Sequence, residues 1–232
     1  MNREAKINND AEVTGHVAVN SVVGRLKLGK NVLVHDGSSL RANYVEIGNA
    51  SSVPQVFANT VKLGFDAVIR DGTGPVTLPI ADPFCQIPDF ACGTQMVNLT
   101  PGDIQLLAPG VYGYVRVPNG ATLRLAPGIY TMCDVKMGRE AKIIAEGPVL
   151  LQIAGNLRIG TDSYFGPVIG APPIAAYVAG RKVRISQSGI AVAQIIAPYA
   201  KGTFGRDSNL TGCFCADQQK SDKHITLVCP TP

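Results

Sequence analysis

The sequence predicts an all-β protein, a right-handed β-solenoid of about ten coils, and three observations carry that prediction. A short unit of apolar, charged, apolar and then Gly, Pro or Ser recurs seven times. Successive copies begin 19, 16, 54, 20, 22 and 26 residues apart, a period near twenty broken by one long gap. No apolar stripe with helical spacing runs longer than about two turns.

In chain order the units are Leu26-Lys-Leu-Gly29, Val45-Glu-Ile-Gly48, Val61-Lys-Leu-Gly64, Val115-Arg-Val-Pro118, Val135-Lys-Met-Gly138, Leu157-Arg-Ile-Gly160 and Val183-Arg-Ile-Ser186. Alternation with period two places the apolar pair on one face and the charged residue on the other, so each unit reads as a short half-buried strand. The glycine that follows is read as a sharp bend, and Asp-Gly at 36–37 and 71–72 and Asn-Gly at 119–120 add turn chemistry. The longest self-match is Leu107-Ala-Pro-Gly-Val-Tyr112, which returns eighteen residues later as Leu125-Ala-Pro-Gly-Ile-Tyr130. Stacked coils bury like residues on like, and a spacing of about 4.8 Å makes a rod on the order of 50 Å long. A compact β-sandwich also strings short strands between turns, but it does not need one tetrad in one phase seven times. The gap before Val115 holds an insertion, roughly Gly72 to Thr100. Its prolines cannot donate to a sheet, which predicts an ordered excursion from a single domain spanning 1–232.

Composition agrees with an ordered core filled by Val, Ile, Leu and Ala: 46% of the 232 residues are hydrophobic and there is no Trp. The 25 Gly and 16 Pro are dispersed as punctuation between strands. A net charge of +4 arises from Lys and Arg spread along the chain without a basic run, which argues against nucleic acid as a partner. No stretch approaches the roughly 18 apolar residues of a membrane-spanning helix, so no membrane insertion is expected. The charged start at Met1 lacks an apolar export core, which reads as a mature or trimmed chain.

Six cysteines without a CxxC pair favour disulfides and an oxidising compartment. Cys85 and Cys92, seven apart in the proline-rich excursion, are expected to pair locally, and one of Cys213 and Cys215 is expected to bridge to Cys229 and fasten a C-terminal end. Cys133 then takes the remaining member or stays as a buried apolar residue. Cys213, Cys215, His224 and Cys229 form an alternative zinc set, although their spacing matches no usual zinc module. No nucleophile elbow, metalloprotease motif or phosphate loop is present, so no catalytic residue and no cofactor is assigned. Asp134, Asp162, Asp207 and Asp217 are the carboxylates that could meet across coils. Asn49, Asn98 and Asn209 open three glycosylation sequons. Lys27, Lys62, Arg116, Lys136, Arg158 and Arg184 hold the second position of the repeat and are expected to stack into a basic ladder, interrupted by Glu46, that would recognise anionic glycans or simply solvate one face.

The stretch from about Leu107 to Cys229 resembles a loosely defined group of exported bacterial proteins in which the repeat closes a β-solenoid of surface or secreted character. The residues that carry the likeness are Leu125-Ala-Pro-Gly-Ile-Tyr130, Val149-Leu-Leu-Gln-Ile-Ala-Gly-Asn-Leu-Arg-Ile-Gly160, Ile195 to Gly205 and Thr211-Gly-Cys-Phe-Cys215. The chain is also similar in architecture to the bactofilins, polymer-forming β-solenoids, from which its cysteines and proline-rich excursion set it apart. The resemblance implies a bacterial, extracellular or cell-surface structural or adhesive element and no catalytic residues. Unpaired strand edges at the two ends of a solenoid imply assembly into a homo-oligomer or filament, with the Pro230-Thr-Pro232 tail blunting one end. Two other readings follow from the same residues. One is a carbohydrate-binding module for anionic polysaccharide that uses the ladder or Phe84 and Phe90; the other is a polysaccharide lyase or hydrolase of β-helix type with a cross-coil cluster in a groove.

Overall fold

The computed structural model describes residues 3–78 and 85–229. Its 25 strands contain no intervening α-helix among the described residues, and neighbouring strands pair in parallel along three faces. The molecule is a parallel β-solenoid of about twelve turns, somewhat more than the sequence suggested. The tetrads lie on the first face, a second face follows the corner after each tetrad, and a third face closes the turn.

Chain order and stacking order differ. On the first face the inward residues stack as Val61, Val45, Leu26 and Ala5, then Gln219, Gly202, Val183, Leu157, Val135, Val115 and Val97. Glu4–Ile7 is thus held between Arg25–Leu28 on one side and residues 218–220 on the other. On the second face Glu12–Thr14 sits likewise between Leu33–Val34 and Thr226–Val228. The first and last coils of the described chain are neighbours in the middle of the rod, and the solenoid is circularly permuted. This corrects the expectation that Cys229 fastens an end, because the ends are built by Val68–Gly74 and by the coil that starts at Val97–Asn98. The Pro230 to Pro232 tail and Phe84 lie outside the described residues.

The excursion takes its role from this permutation. The chain leaves the stack at Gly74 at one end and rejoins it at Val97 at the other, so the connection returns along the rod. It is narrower than expected, since residues 72–74 and 97–98 are still strand. Cys85 is bonded to Cys215 and Cys92 to Cys133, with Cα separations of 5.8 and 4.9 Å, rather than to each other. The local pairing fails because residues 85–92 are extended alongside the stack, spanning the levels of Cys215, Ile196, Tyr177 and Gln152 on the third face. Ile87 and Phe90 in this strap are half-buried, as are Tyr177 and Ile196. Further along, Gly93 N–H donates to Tyr112 O at 2.9 Å and Gly113 N–H donates to Gln95 O at 2.7 Å.

The repeat has two structural meanings that differ from the bend first assigned to its glycine. The bend lies two residues later, at Asn31, Ala50, Asp66, Glu140 and Asp162, which take left-handed φ values of 53 to 56°. The tetrad glycine serves close approach: a Cβ on Gly48 would strike the carbonyl oxygen of Gly29, and one on Gly160 that of Gly138. The Leu-Ala-Pro-Gly-x-Tyr motif forms a corner in which Tyr112 Oη donates to Ala108 O and Tyr130 Oη to Ala126 O, both at 2.7 Å. Tyr130 is fully buried, and that burial, with Tyr112 beside it, pushes its hydroxyl up to about 12.

Packing is uneven along the axis. Most levels stack buried Val, Leu and Ile, whereas the meeting point of the chain ends presents Ala5, Gln219 and Gly202 inward. Phe214 fills the space over Gly202 and meets Phe204 edge-on at a centroid distance of 5.2 Å. Gln219 is 3% exposed and its Nε2 has no hydrogen-bond partner among the described residues, so this level is a weak seam of the stack.

Candidate functional site: a basic face with a groove at its foot

The outward residues of the first face follow from the same registers. In axial order they are Lys62, Glu46, Lys27, Lys6, Lys220, Thr203, Arg184, Arg158, Lys136, Arg116 and Asn98. All six ladder residues expected from the repeat therefore share one column. The permutation adds Lys6 and Lys220, which bridge the two sequence halves so that seven cations from Lys27 to Arg116 are broken only by Thr203. Lys6 and Lys220 stand outside the tetrad pattern because Ala5-Lys6-Ile7 is followed by Asn and Gln219-Lys220-Ser221 lacks the apolar pair. A second outward column carries Arg25, Lys201 and Lys182, with Glu4 and Gln218 between them.

Glu46 approaches Lys27 at 3.4 Å, but no acidic group pairs with Lys6, Lys220, Arg184, Arg158, Lys136 or Arg116 among the described residues. These six side chains are exposed. Strands about 4.8 Å apart hold their bases close, and two unit charges at such a distance repel by about 1 kcal/mol even in water. Opposite charges across neighbouring strands would have stabilised the sheet, so the row is a stability cost that an anionic ligand would relieve.

At the foot of the ladder the face is indented by a groove of about 320 Å³. Its polar lining comprises Asn98, Tyr114, Arg116, Asp134, Lys136, Asn156 and Arg158. Tyr114, Asp134 and Asn156 hold the position before the strand on successive turns: Val115 N–H donates to Asp134 O and Val135 N–H to Asn156 O, at 2.9 and 3.0 Å. Asp134 Oδ1 accepts from Asn156 N at 2.6 Å and from Asn156 Nδ2 at 3.2 Å, which locks both side chains. A Cβ on Gly155 would come within 2.6 Å of that same oxygen, so the corner glycine makes room for the pair.

No family model, no curated protein and no solved structure matches this chain.

Other candidates are dispersed. Of the four carboxylates, only Asp134 lines the groove; Asp162 and Asp207 occupy left-handed positions at the corner on the opposite edge of the face, and Asp217 lies 3.3 Å from Arg3. The zinc set is overturned because Cys213 is bonded to Cys229 and Cys215 to Cys85, which leaves His224 beside Asp10 at 3.7 Å. Among the sequons Asn49 and Asn98 are exposed and Asn209 is half-buried. Three disulfides are compatible with an oxidising, extracellular setting.

Proposed function

We propose that this protein is a non-catalytic extracellular rod that binds an anionic polysaccharide along its basic face. The observation that carries this reading is the column from Lys27 to Arg116, interrupted only by Thr203, with six cations that lack an acidic partner among the described residues. A parallel sheet with cations on nearly every turn suits an extended polymer of repeating charge better than a compact ligand. The disulfides and the likeness of residues 107–229 to exported bacterial proteins favour a cell-surface glycan over nucleic acid. Titration calorimetry with polygalacturonate should show binding that weakens about tenfold or more between 50 and 200 mM salt, as expected when several counterions are released. Salt-insensitive binding, no binding, or equal affinity for single-stranded DNA would overturn it.

A second reading, a structural element that stacks end to end, is favoured by the apolar side chains exposed on the rod's terminal coils. The coil at one end exposes the inward Leu63 together with Phe65 and Val68; at the other end Ile104 and Leu106 are exposed on the outward side of the second face, in register with Thr122 and Arg124. Because the strands run in parallel throughout, head-to-tail contact would continue all three faces in phase, a heterologous interface that propagates. Electron microscopy across a concentration series tests it: filaments that Phe65→Asp abolishes are expected, and isolated rods at every concentration would sink it.

A further inference from the structure

The geometry points to a subsite for an acidic sugar residue, a uronate, in the groove beneath the ladder, and this inference rests on the polysaccharide reading above. The groove joins three kinds of group on three successive turns. Tyr114 is 55% exposed and offers an aromatic surface on which the apolar C–H face of a pyranose ring can lie. Asp134 and Asn156, locked to each other through Oδ1, leave the second carboxylate oxygen and the amide oxygen as fixed acceptors for ring hydroxyls. Arg116, Lys136 and Arg158 rise on three successive turns along the same wall, each without an acidic partner among the described residues, and supply donors for a carboxylate.

Position along the rod adds to this. Directly above the groove the ladder is flanked by Lys182 and Lys201, which offer charge alone, and farther along by Gln218, Glu4, Arg25 and Tyr44, where Arg25 separates Glu4 from Tyr44 and lies over the Tyr44 ring. Toward the foot the flanking column becomes Asn156, Asp134 and Tyr114, and there the face is indented as a groove. A single carboxylate among three cations is an arrangement for recognition of an anion, since hydrolysis by paired carboxylates would need a second one facing it. A polymer drawn along the ladder would therefore have one ring held by shape and hydroxyl contacts while its neighbours are held by charge.

The test uses short probes, so that it does not depend on the length of the ladder. Titrating the whole protein with an oligogalacturonate trimer should shift the backbone amide resonances of Tyr114, Lys136 and Asn156, while a neutral maltotriose and inorganic tripolyphosphate should not reproduce those shifts. Tyr114→Ala and Asn156→Ala should each weaken the trimer about tenfold and also lower the affinity for long polygalacturonate, while the salt dependence of polymer binding, which the ladder cations set, stays that of the parent. Trimer shifts spread evenly over Lys6, Lys220 and Arg184, or Tyr114→Ala without effect on the trimer, would overturn the subsite while the ladder stands. If the long polymer fails to bind but the trimer still shifts the groove, the ladder reading fails and the subsite survives.

Discussion

The double variant Cys85→Ser/Cys215→Ser should lose about 4 kcal/mol of unfolding free energy, the largest loss among the three disulfides. The bond closes a loop of 130 residues, against 41 for Cys92–Cys133 and 16 for Cys213–Cys229. Chain-entropy arguments give about 5 kcal/mol for the longest loop and about 3 for the shortest, before any relaxation of the native state. Architecture sharpens the difference. Cys213 and Cys229 join turns that are already hydrogen-bonded neighbours through Asn209–Thr211 and Thr226–Val228. Cys85 anchors the strap just beside the seam where residues 3–20 meet the C-terminal coil, and that seam is where inward packing falls to Ala5, Gln219 and Gly202. In a stacked protein stability is close to a sum over turns and their interfaces, so a poor interface is where the stack parts. Guanidinium unfolding of the double variant should then become three-state, with residues 3–74 separating first, while the parent unfolds in one step. If removal of Cys213–Cys229 costs more than removal of Cys85–Cys215, the strap is not the main constraint on the seam.

How far the sequence could be read divides along the same seam. Seven tetrads were visible because each pairs two large apolar residues with a glycine, proline or serine, and those coils give the fold class and six of the cations on the basic face. The four coils without a full tetrad, at Ala5, Val97, Gly202 and Gln219, include the seam and one end. At the seam the inward positions hold Ala, Gly and Gln, with Phe214 filling the space over Gly202, and no local pattern reveals such compensation; at Val97 the place of the charged middle residue of the unit is taken by Asn98. The permuted order was hidden for a different reason: parallel stacking uses the same residue types at every interface, so a sequence repeat shows that coils stack but not which coil touches which. One clue did exist. Ile174-Ala-Ala-Tyr-Val178 is apolar on both parities and Val149-Leu-Leu-Gln-Ile153 is so except at Gln152, the mark of strands covered on both sides, and the third face is the one the strap follows. The groove stayed illegible because Tyr114, Asp134 and Asn156 precede their strands by one residue and share no common type.

Lys6 and Lys220 lie 214 positions apart in the chain and directly opposite each other in the sheet, so reversing them tests the permuted stack and the binding face together. Each single change to Glu should lower affinity for long polygalacturonate about tenfold at low salt, and the double change about a hundredfold, since both sit in the middle of the column. The effect on folding has the opposite sign. A Glu at position 6 would face Lys27 on one side and Lys220 on the other, replacing two repulsive cross-strand pairs by two attractive ones, each worth about 0.2–1 kcal/mol. Lys6→Glu should therefore leave the protein as stable as the parent or slightly more so while its binding falls, the trade expected of a residue kept for a ligand rather than for the fold. Two reversals take the net charge from +4 to zero, so the matched control is Arg41→Glu with Lys142→Glu, which makes the same change of four charges on exposed sites of the third and second faces. Should that control weaken the polymer as much as the Lys6 and Lys220 variants do, affinity follows overall charge and the column has no special role. Should Lys6→Glu bind normally while Arg158→Glu does not, the ligand occupies only the C-terminal half of the rod and the two halves do not act as one surface.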